Sequence, residues 1–138
     1  MRAILDVNVL IAALLSRAGT PAGLLMAWAQ GQFELLVSPL LLAELERALA
    51  YPKLRRHVMA DDAAAYVDWL RRSATLVADP PGPPPAPSAD PGDDYLLALA
   101  STQHAVLVTG DAGLRATAGG LPVLTPAEFT ALLTGREA

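Results

Sequence analysis

Four acidic residues stand where a sheet of parallel strands would gather their carboxylates at one edge. Asp6 ends the first apolar run of the chain, and Asp111 lies two residues past Thr109, the last residue of a later apolar run. Glu44 falls in the second turn of a predicted helix that follows the second strand, and Asp93 begins the helix that precedes the fourth strand. Ligands of open parallel sheets bind beyond the carboxyl ends of the strands. We therefore expect the four acids to converge there.

Such a cluster of acids has one evident chemical use. Carboxylates brought close together raise one another's pKa unless a cation lies among them. The chain has no cysteine and only two histidines, so a ligand set built from it is dominated by oxygen. Oxygen ligands suit a hard divalent ion, Mg²⁺ or Mn²⁺. The sequence therefore predicts a site for one of these ions.

Each acid also has a structural alternative. Asp93, Asp94 and Asp111 stand where acids commonly cap helices, and Glu44 could be a solvated residue of a helix. For any one of the three aspartates alone, capping is the more common explanation. Asp6 has less need of a structural role, because Asn8 is the better placed residue to cap the first helix.

Helical periodicity separates some neighbouring acids and not others. Asp93 begins a stripe with Leu96, Leu97 and Ala100, at spacings of three, four and seven residues. Asp94 is turned about 100° away from Asp93 and is expected to face solvent. In the earlier helix, Glu44 and Glu46 flank the apolar face on opposite sides. Periodicity does not choose between those two.

The apolar runs predict a parallel α/β fold. Predicted strands alternate with predicted helices along the chain, which favours right-handed crossovers and a three-layer α/β/α arrangement. Residues typical of helix starts agree with this pattern, since a Ser-Pro pair stands at the predicted start of the helix after the second strand. The predicted strands are residues 3–7, 33–37, 74–77, 106–109 and 123–125.

Residues 79–92 contain seven prolines, which favours an extended connector and excludes a helix. The sequence after this segment is too short to form a domain of its own. We therefore predict a single domain over residues 1–138, with the proline-rich segment crossing its surface.

Composition excludes several classes of protein. Hydrophobic residues make up 53% of the 138 residues and charged residues 17%, which excludes a disordered chain. No apolar run reaches the roughly 18 residues needed to span a bilayer, and an early acid interrupts any signal peptide, so we expect a cytoplasmic protein without a membrane partner. The net charge of −4 leaves nucleic acid open as a partner. Basic residues do cluster, at residues 53–57 and 71–72.

The order of these motifs resembles the PIN domain family, and more closely its bacterial VapC-like toxins of type II toxin–antitoxin systems. The resemblance runs through nearly the whole chain. Each motif alone is weak evidence for the family, whereas four acids in this order and at this spacing are specific evidence for it. The matching segments are residues 5–10 (LDVNVL), 38–39 (SP), 43–45 (AEL), 90–94 (DPGDD), 97–100 (LALA) and 108–111 (VTGD).

This resemblance implies a five-stranded parallel sheet and cleavage of RNA by metal-activated water, with Mg²⁺ or Mn²⁺ as cofactor. By position, the family's catalytic and metal-binding acids fall on Asp6, Glu44, Asp93 and Asp111. Asn8, Thr109 and Asp90 are implied as supporting polar residues. Partners implied are an RNA substrate and a cognate antitoxin protein.

Two positions depart from the family pattern. Val7 stands where many members have threonine, which removes a hydroxyl near the site but no ligand. Gly113 stands where some relatives have a further acid, which leaves open whether one or two ions bind. Neither His57 nor His104 fits the role of general base: we expect His57 at the surface and His104 packed at a helix end.

Two other functions compete. A phosphatase of the haloacid-dehalogenase type shares an aspartate after the first strand, but its nucleophile pair requires an acid where Asn8 stands and a lysine near the site, and Lys53 is the chain's one lysine. The more serious alternative is a PIN-like module that binds RNA or protein without cutting. A full set of four acids has no evident use in such a module.

The first two predicted helices carry more large apolar residues than one face of a sheet readily covers. From this surplus we predict a homodimer, with an antitoxin segment lying over the remainder. The residues concerned are Leu10, Leu14, Leu24, Leu25 and Trp28.

The different roles assigned to Asp93 and Asp94 give the first testable prediction. Asp93→Asn keeps the size of the side chain but removes a metal-binding charge, so we expect it to abolish RNA cleavage. Asp94→Asn should leave cleavage within a few-fold of wild type and cost at most about 1 kcal/mol of stability through helix capping. Cleavage assays and thermal melts of the two variants check both statements. An inactive Asp94→Asn beside an active Asp93→Asn would show that the predicted helix register is wrong.

Overall fold

The computed structural model describes residues 1–81, 94–111, 113–114 and 122–135. In these ranges strands and helices alternate along most of the chain. They are β1 (Arg2–Leu5), α1 (Val7–Leu15), α2 (Thr20–Ala29), β2 (Glu34–Val37), α3 (Pro39–Leu49), α4 (Pro52–Arg55), α5 (Ala60–Ser73), β3 (Thr75–Leu76), α6 (Asp94–Gln103), β4 (Val106–Val108), β5 (Val123–Leu124) and α7 (Pro126–Leu133).

The five strands form one parallel sheet in the order β3-β2-β1-β4-β5. β1 is the central strand and pairs in parallel with β2 on one side and with β4 on the other. The chain therefore builds outward in one direction through β2 and β3, and afterwards in the other through β4 and β5. Parallel sheets have their ligand-binding crevice where the direction of building changes. In this sheet that point lies between the carboxyl ends of β1 and β4.

Both faces of the sheet are covered. Ala3, Ile4 and Leu5 in β1 have no exposed surface, and neither have the three residues from Leu35 to Val37 in β2. Successive residues of a strand point to opposite faces, so a run of three buried residues requires cover on each side. The predicted three-layer α/β/α class with five parallel strands is confirmed.

The helix α3, which carries Glu44, begins as the sequence predicts. The hydroxyl oxygen of Ser38 accepts a hydrogen bond from the backbone N–H of Leu41 at 3.2 Å, and Pro39 is the first helical residue. The carboxylate of Asp79 accepts a second hydrogen bond, from the N–H of Leu40 at 2.9 Å. A Ser-Pro start suits a helix because proline lacks the N–H that the first turn would leave unpaired.

Other boundaries differ slightly from those predicted. The observed strands are shorter than the predicted ones, and the short helix α4 was not predicted after Pro52. Most of the proline-rich segment, residues 82–92, lies outside the described ranges. The same is true of most of the short helix predicted after Asp111.

The structure covers most of the apolar residues that were predicted to be in surplus in α1 and α2. Leu10 and Leu24 are buried in the core, so they leave no apolar surface for a partner. Leu14 and Leu25 are half-buried and pack against the core. Trp28 packs against Trp69 of α5, with ring centroids 5.2 Å apart. The sequence could not predict that α5 packs against Trp28, because α5 lies about 40 residues further along the chain.

No single helix in the described ranges is long and apolar enough to cross a membrane, although α1 and α2 together, bent by 95°, reach the length and composition required.

Candidate active site

Asp6 is the first residue after the central strand and the N-cap of α1. Its backbone N–H donates to the carbonyl of Val108 at 3.0 Å, which extends the pairing of β1 with β4. Its side-chain Oδ1 accepts from the N–H of Val9 at 2.8 Å. The side chain is buried, with 5% of the residue exposed. One aspartate therefore links the sheet edge to the first helix.

This cap corrects the sequence prediction for Asn8, which was expected to cap the helix. The helix begins at Val7, two residues earlier than a cap at Asn8 would place it, and Asn8 is an exposed residue of its first turn. The physical reason is the extended backbone of Asp6, with φ −69° and ψ 169°, which carries its carboxylate over the first turn. Asn8 still lines the cleft described below, so its position agrees with a supporting role.

Thr109 joins the two strand ends through its side chain. It has no exposed surface and follows β4 directly. Its hydroxyl donates to Oδ2 of Asp6 and accepts from the backbone N–H of Asp111, at 3.0 Å in the second case. A single buried hydroxyl thus fixes the orientation of Asp6 and the turn that leads to Asp111.

Asp111 is held by the backbone that follows it. Its Oδ1 accepts from the N–H groups of Gly113 at 2.8 Å and Leu114 at 3.1 Å. A Cβ atom on Gly113 would lie 3.2 Å from this oxygen, closer than ordinary van der Waals contact. A side chain at position 113 would therefore crowd the Asp111 carboxylate, so the departure at Gly113 is consistent with this arrangement.

Glu44 reaches the same region from α3. It is half-buried, whereas Glu46 is exposed and lines a different groove. The hydroxyl of Tyr95 in α6 donates to Oε2 of Glu44. The structure thus resolves the choice that helical periodicity left open, in favour of Glu44.

The three described acids border one cleft of about 260 Å³ at the sheet's switch point. Besides Asp6, Glu44 and Asp111, the lining residues are Val7, Asn8, Arg47, Ala48, Tyr51 and Leu96. Asp90 and Asp93 lie outside the described residues, so their predicted convergence stays a prediction. In α6 all five residues from Leu96 to Ala100 are buried, and burial therefore shows no one-sided stripe that would distinguish Asp93 from Asp94.

Neither histidine borders this cleft. His57 is exposed, as predicted, and lines a separate groove with Leu14 and Leu15. His104 is also exposed rather than packed, which corrects the sequence prediction. It ends α6 with a φ of 52°, a left-handed conformation that turns the chain toward β4.

The pKa of Asp6 is raised above its ordinary value of 3.8, chiefly by burial. Hydrogen bonds from Thr109 and Val9 lower this pKa, and the nearby carboxylates of Asp111 and Glu44 raise it further. Repulsion among the acids, which is the effect that the sequence suggested, therefore raises the pKa of Asp6 less than desolvation does. Both effects disfavour the charged form, and a cation in the cleft would oppose both.

The chemistry of the lining fits a divalent cation. Among the described residues that line the cleft, three carry carboxylates and none carries an imidazole or a sulfur atom, which is a donor set for Mg²⁺ or Mn²⁺. Within the described ranges, no three acids or histidines already stand close enough to hold one ion. An oxygen of each carboxylate accepts a hydrogen bond from a protein donor. An ion held by all three carboxylates would therefore require them to move closer together.

Three residues near the cleft were not predicted as site residues. Tyr95 was missed because its contact with Glu44 spans 51 residues of sequence. Arg47 was missed although a signal existed, because it follows Glu44 by three residues on the same helix face. Tyr51 was missed because it lies beyond the end of α3, where helical spacing no longer applies.

Comparison with known proteins identifies a similar sequence family and a similar fold. A sequence model described as the PIN domain matches residues 2–113, which include Asp6, Glu44 and Asp111. Among curated proteins, none matches the chain. A similar solved structure is the crystal structure of VapBC2 from Rickettsia felis bound to a DNA fragment from their promoter. It is 14% identical, with a TM-score of 0.63 over 90% of this chain and 97% of that one, so the fold is shared.

The raised pKa of Asp6 predicts a stabilising substitution. The folded protein holds this proton more tightly than the unfolded chain, so the contribution of Asp6 to stability is greatest below pH 3.8 and falls as the pH rises through the folded-state pKa. Asp6→Asn removes the buried charge and keeps an acceptor for Val9. Without divalent ions at pH 7, we therefore expect Asp6→Asn to melt at a higher temperature than wild type, by a margin that shrinks toward pH 4.

In added Mn²⁺ the wild type should melt at a higher temperature than Asp6→Asn, because only the wild type keeps the Asp6 carboxylate as a metal ligand and gains stability through binding. The matched control is Asp61→Asn, an exposed acid in the first turn of α5. Melting of Asp6→Asn below wild type at pH 7 in EDTA would contradict this account of the buried charge.

Proposed function

The chain belongs to the PIN domain family, and from that premise we propose that it is a Mg²⁺- or Mn²⁺-dependent endoribonuclease, the toxin component of a toxin–antitoxin system. The observation that carries the proposal is the gathering of Asp6, Glu44 and Asp111 around one cleft at the switch point of the sheet. The carboxylates come from β1, α3 and the turn after β4, elements far apart in sequence. Their meeting is a consequence of the fold rather than of local sequence.

The residues that would hold the ion are Asp6, Glu44 and Asp111, with Asp93 as a fourth ligand by its position in the family motif. A divalent ion bound by such ligands lowers the pKa of a water molecule and offsets negative charge that develops on a phosphodiester. The other contribution in the proposed mechanism is that the protein positions the carboxylates that would hold the ion.

The protein positions the three carboxylates through hydrogen bonds, which each carboxylate accepts at one or both of its oxygens. Thr109 and the N–H of Val9 orient Asp6, and Tyr95 orients Glu44. Two backbone N–H groups orient Asp111. Partners of this kind fix the direction of ligating oxygens and commonly change metal affinity or activity 10- to 100-fold when removed.

The proposed partners are RNA as substrate and an antitoxin protein as inhibitor. A similar fold is found in VapBC2, a pair of proteins that was crystallised on promoter DNA. An inhibitory arginine from an antitoxin would pair with the carboxylates and compete with the ion. We further propose a homodimer in the cytoplasm. Its interface would have to use apolar residues other than Leu10 and Leu24, which the core buries.

Cleavage of RNA tests the function directly. The wild type should cut a structured RNA in Mn²⁺ or Mg²⁺ and stop in excess EDTA, and the products should carry 5′-phosphate and 3′-hydroxyl ends. Asp111→Asn should lower the cleavage rate at least about 100-fold, because it removes a ligand rather than a supporting group. Asp61→Asn, the exposed control, should cut like wild type.

Two results would contradict the proposal. Cleavage that persists in EDTA would remove the metal from the reaction. RNA binding without cleavage at any divalent ion concentration would favour a non-catalytic PIN-like binding module instead.

A further inference from the structure

The acidic cleft has an electrostatic difficulty with the proposed substrate. Three carboxylates line it, the whole chain has a net charge of −4, and every nucleotide of RNA adds a negative phosphate. Phosphate contacts normally supply most of the affinity of a protein for nucleic acid. Of the described residues that line the cleft, Arg47 is the one with a positive charge. Arg47 is therefore the first candidate for a phosphate contact.

The side chain of Arg47 is free to make such a contact. It lies one turn after Glu44 on α3, so both side chains project from the same side of the helix. It is exposed, and no carboxylate in the described ranges lies within ion-pairing distance of it. A guanidinium presents a planar fork of donors that matches two phosphate oxygens, which a lysine does not. The charge at the cleft's edge is thus available to an anion.

Tyr51 is the exposed aromatic side chain of the same cleft. Its ring belongs to a residue that is 63% exposed, whereas Tyr66 is buried against Trp69. The backbone of Tyr51 is nevertheless fixed: its N–H donates to Ala48, and its carbonyl accepts from Leu54 and Arg55 at 2.9 and 3.0 Å. Pro52 follows and restricts the chain further. A fixed backbone with an open ring offers a stacking surface at a low cost in conformational entropy.

Glu44, Arg47 and Ala48 lie on one face of α3, at intervals of zero, three and four residues. Tyr51 follows two residues after the end of that helix. All four line the cleft. They bring a proposed metal ligand, a cation and an aromatic ring to one place.

We propose that Arg47 and Tyr51 form a subsite for the nucleotide next to the scissile phosphate, and that the ring of Tyr51 is the group that distinguishes an unpaired base from a paired one there. Arg47 binds a backbone phosphate, and the ring of Tyr51 stacks on the base. In a duplex both faces of each base are covered by neighbouring bases, so the ring finds no partner. This inference rests on the proposed function, since it assigns two further residues of the same cleft to recognition of the substrate.

A purely structural role is the alternative for each residue. Arg47 lies in the last turn of α3, where a cation interacts favourably with the helix dipole, and Tyr51 is the N-cap residue of α4. Such roles would affect folding stability but not the difference between single-stranded and duplex RNA. The experiment must therefore compare the binding of single-stranded RNA with the binding of duplex RNA.

The test is fluorescence anisotropy of a labelled 12-nucleotide RNA of mixed sequence, alone and annealed to its complement. Ca²⁺ replaces Mg²⁺ and Mn²⁺, and gels confirm that the strand stays intact. The proteins are wild type, Arg47→Ala, Tyr51→Ala and Tyr51→Phe. Arg55→Ala is the matched control, because Arg55 is exposed but lines the groove between α3 and α5 instead. Thermal melts establish that each variant is folded.

We expect Tyr51→Ala to weaken binding of the single strand about tenfold and to leave duplex binding unchanged, whereas Tyr51→Phe keeps the ring and stays within about twofold of wild type. Arg47→Ala should weaken binding and reduce the slope of log affinity against log salt by about 0.7, the value for one phosphate contact on a single strand. Tyr51→Ala should leave that slope unchanged. Arg55→Ala should bind like wild type.

Equal losses for single strand and duplex, no loss for folded Tyr51→Ala, or failure of the wild type to bind the single strand would each overturn the inference. Cleavage in Mn²⁺ separates this result from the proposed function. If wild type and both alanine variants cut and bind alike, the subsite is wrong and the nuclease stands. If wild type binds as expected but does not cut in any divalent ion, the subsite stands and the nuclease is wrong.

Discussion

The pairing of β1 with β4 is the interaction on which the rest of the site depends. It sets the end of the first strand beside the end of a strand about 100 residues later in the chain. The ladder continues into the loops, since the N–H of Asp6 donates to Val108, and the buried hydroxyl of Thr109 donates to Asp6. A shift of this register by one residue would turn Thr109 away from Asp6 and move Asp111 out of the cleft.

Asp6 combines two requirements that oppose each other. As a cap it accepts the N–H of Val9 and starts α1, which favours a charged acceptor. As a buried acid near Asp111 and Glu44 it is disfavoured in its charged form. The protein tolerates this conflict through the hydrogen bonds from Thr109 and Val9. Groups with such perturbed pKa values concentrate at functional sites, where stability is lost in exchange for reactivity or binding.

Much of this arrangement could be predicted from local sequence signals. Apolar runs located all five strands to within a residue or two, and the pair Ser38 and Pro39 located the start of α3, because both signals act over a few residues. The convergence of Asp6, Glu44 and Asp111 also followed, since parallel strands share an edge. The cap by Asp6 was missed because two polar residues near one helix start compete, and only backbone geometry decides between them.

Long-range contacts set the limit of such prediction. The bond from Tyr95 to Glu44 and the packing of Trp28 on Trp69 join residues that are 51 and about 40 positions apart, and no periodic pattern encodes them. Helix α6 was expected to bury one stripe but buries five successive residues. Periodicity loses its meaning in a helix covered on nearly all sides. Exposure likewise distinguished Glu44 from Glu46 where sequence could not.

The central claim is that Asp6, Glu44 and Asp111 surround one divalent cation. Anomalous X-ray diffraction from crystals soaked in Mn²⁺ tests this most directly, because the anomalous signal locates the ion independently of the protein atoms. The account predicts a peak in the cleft within about 2.0–2.3 Å of carboxylate oxygens from Asp6 and Asp111, and at most one further peak about 3.5–4 Å away. A saturating soak with no peak in this cleft, or with peaks only at surface acids such as Asp61 and Asp62, would contradict it.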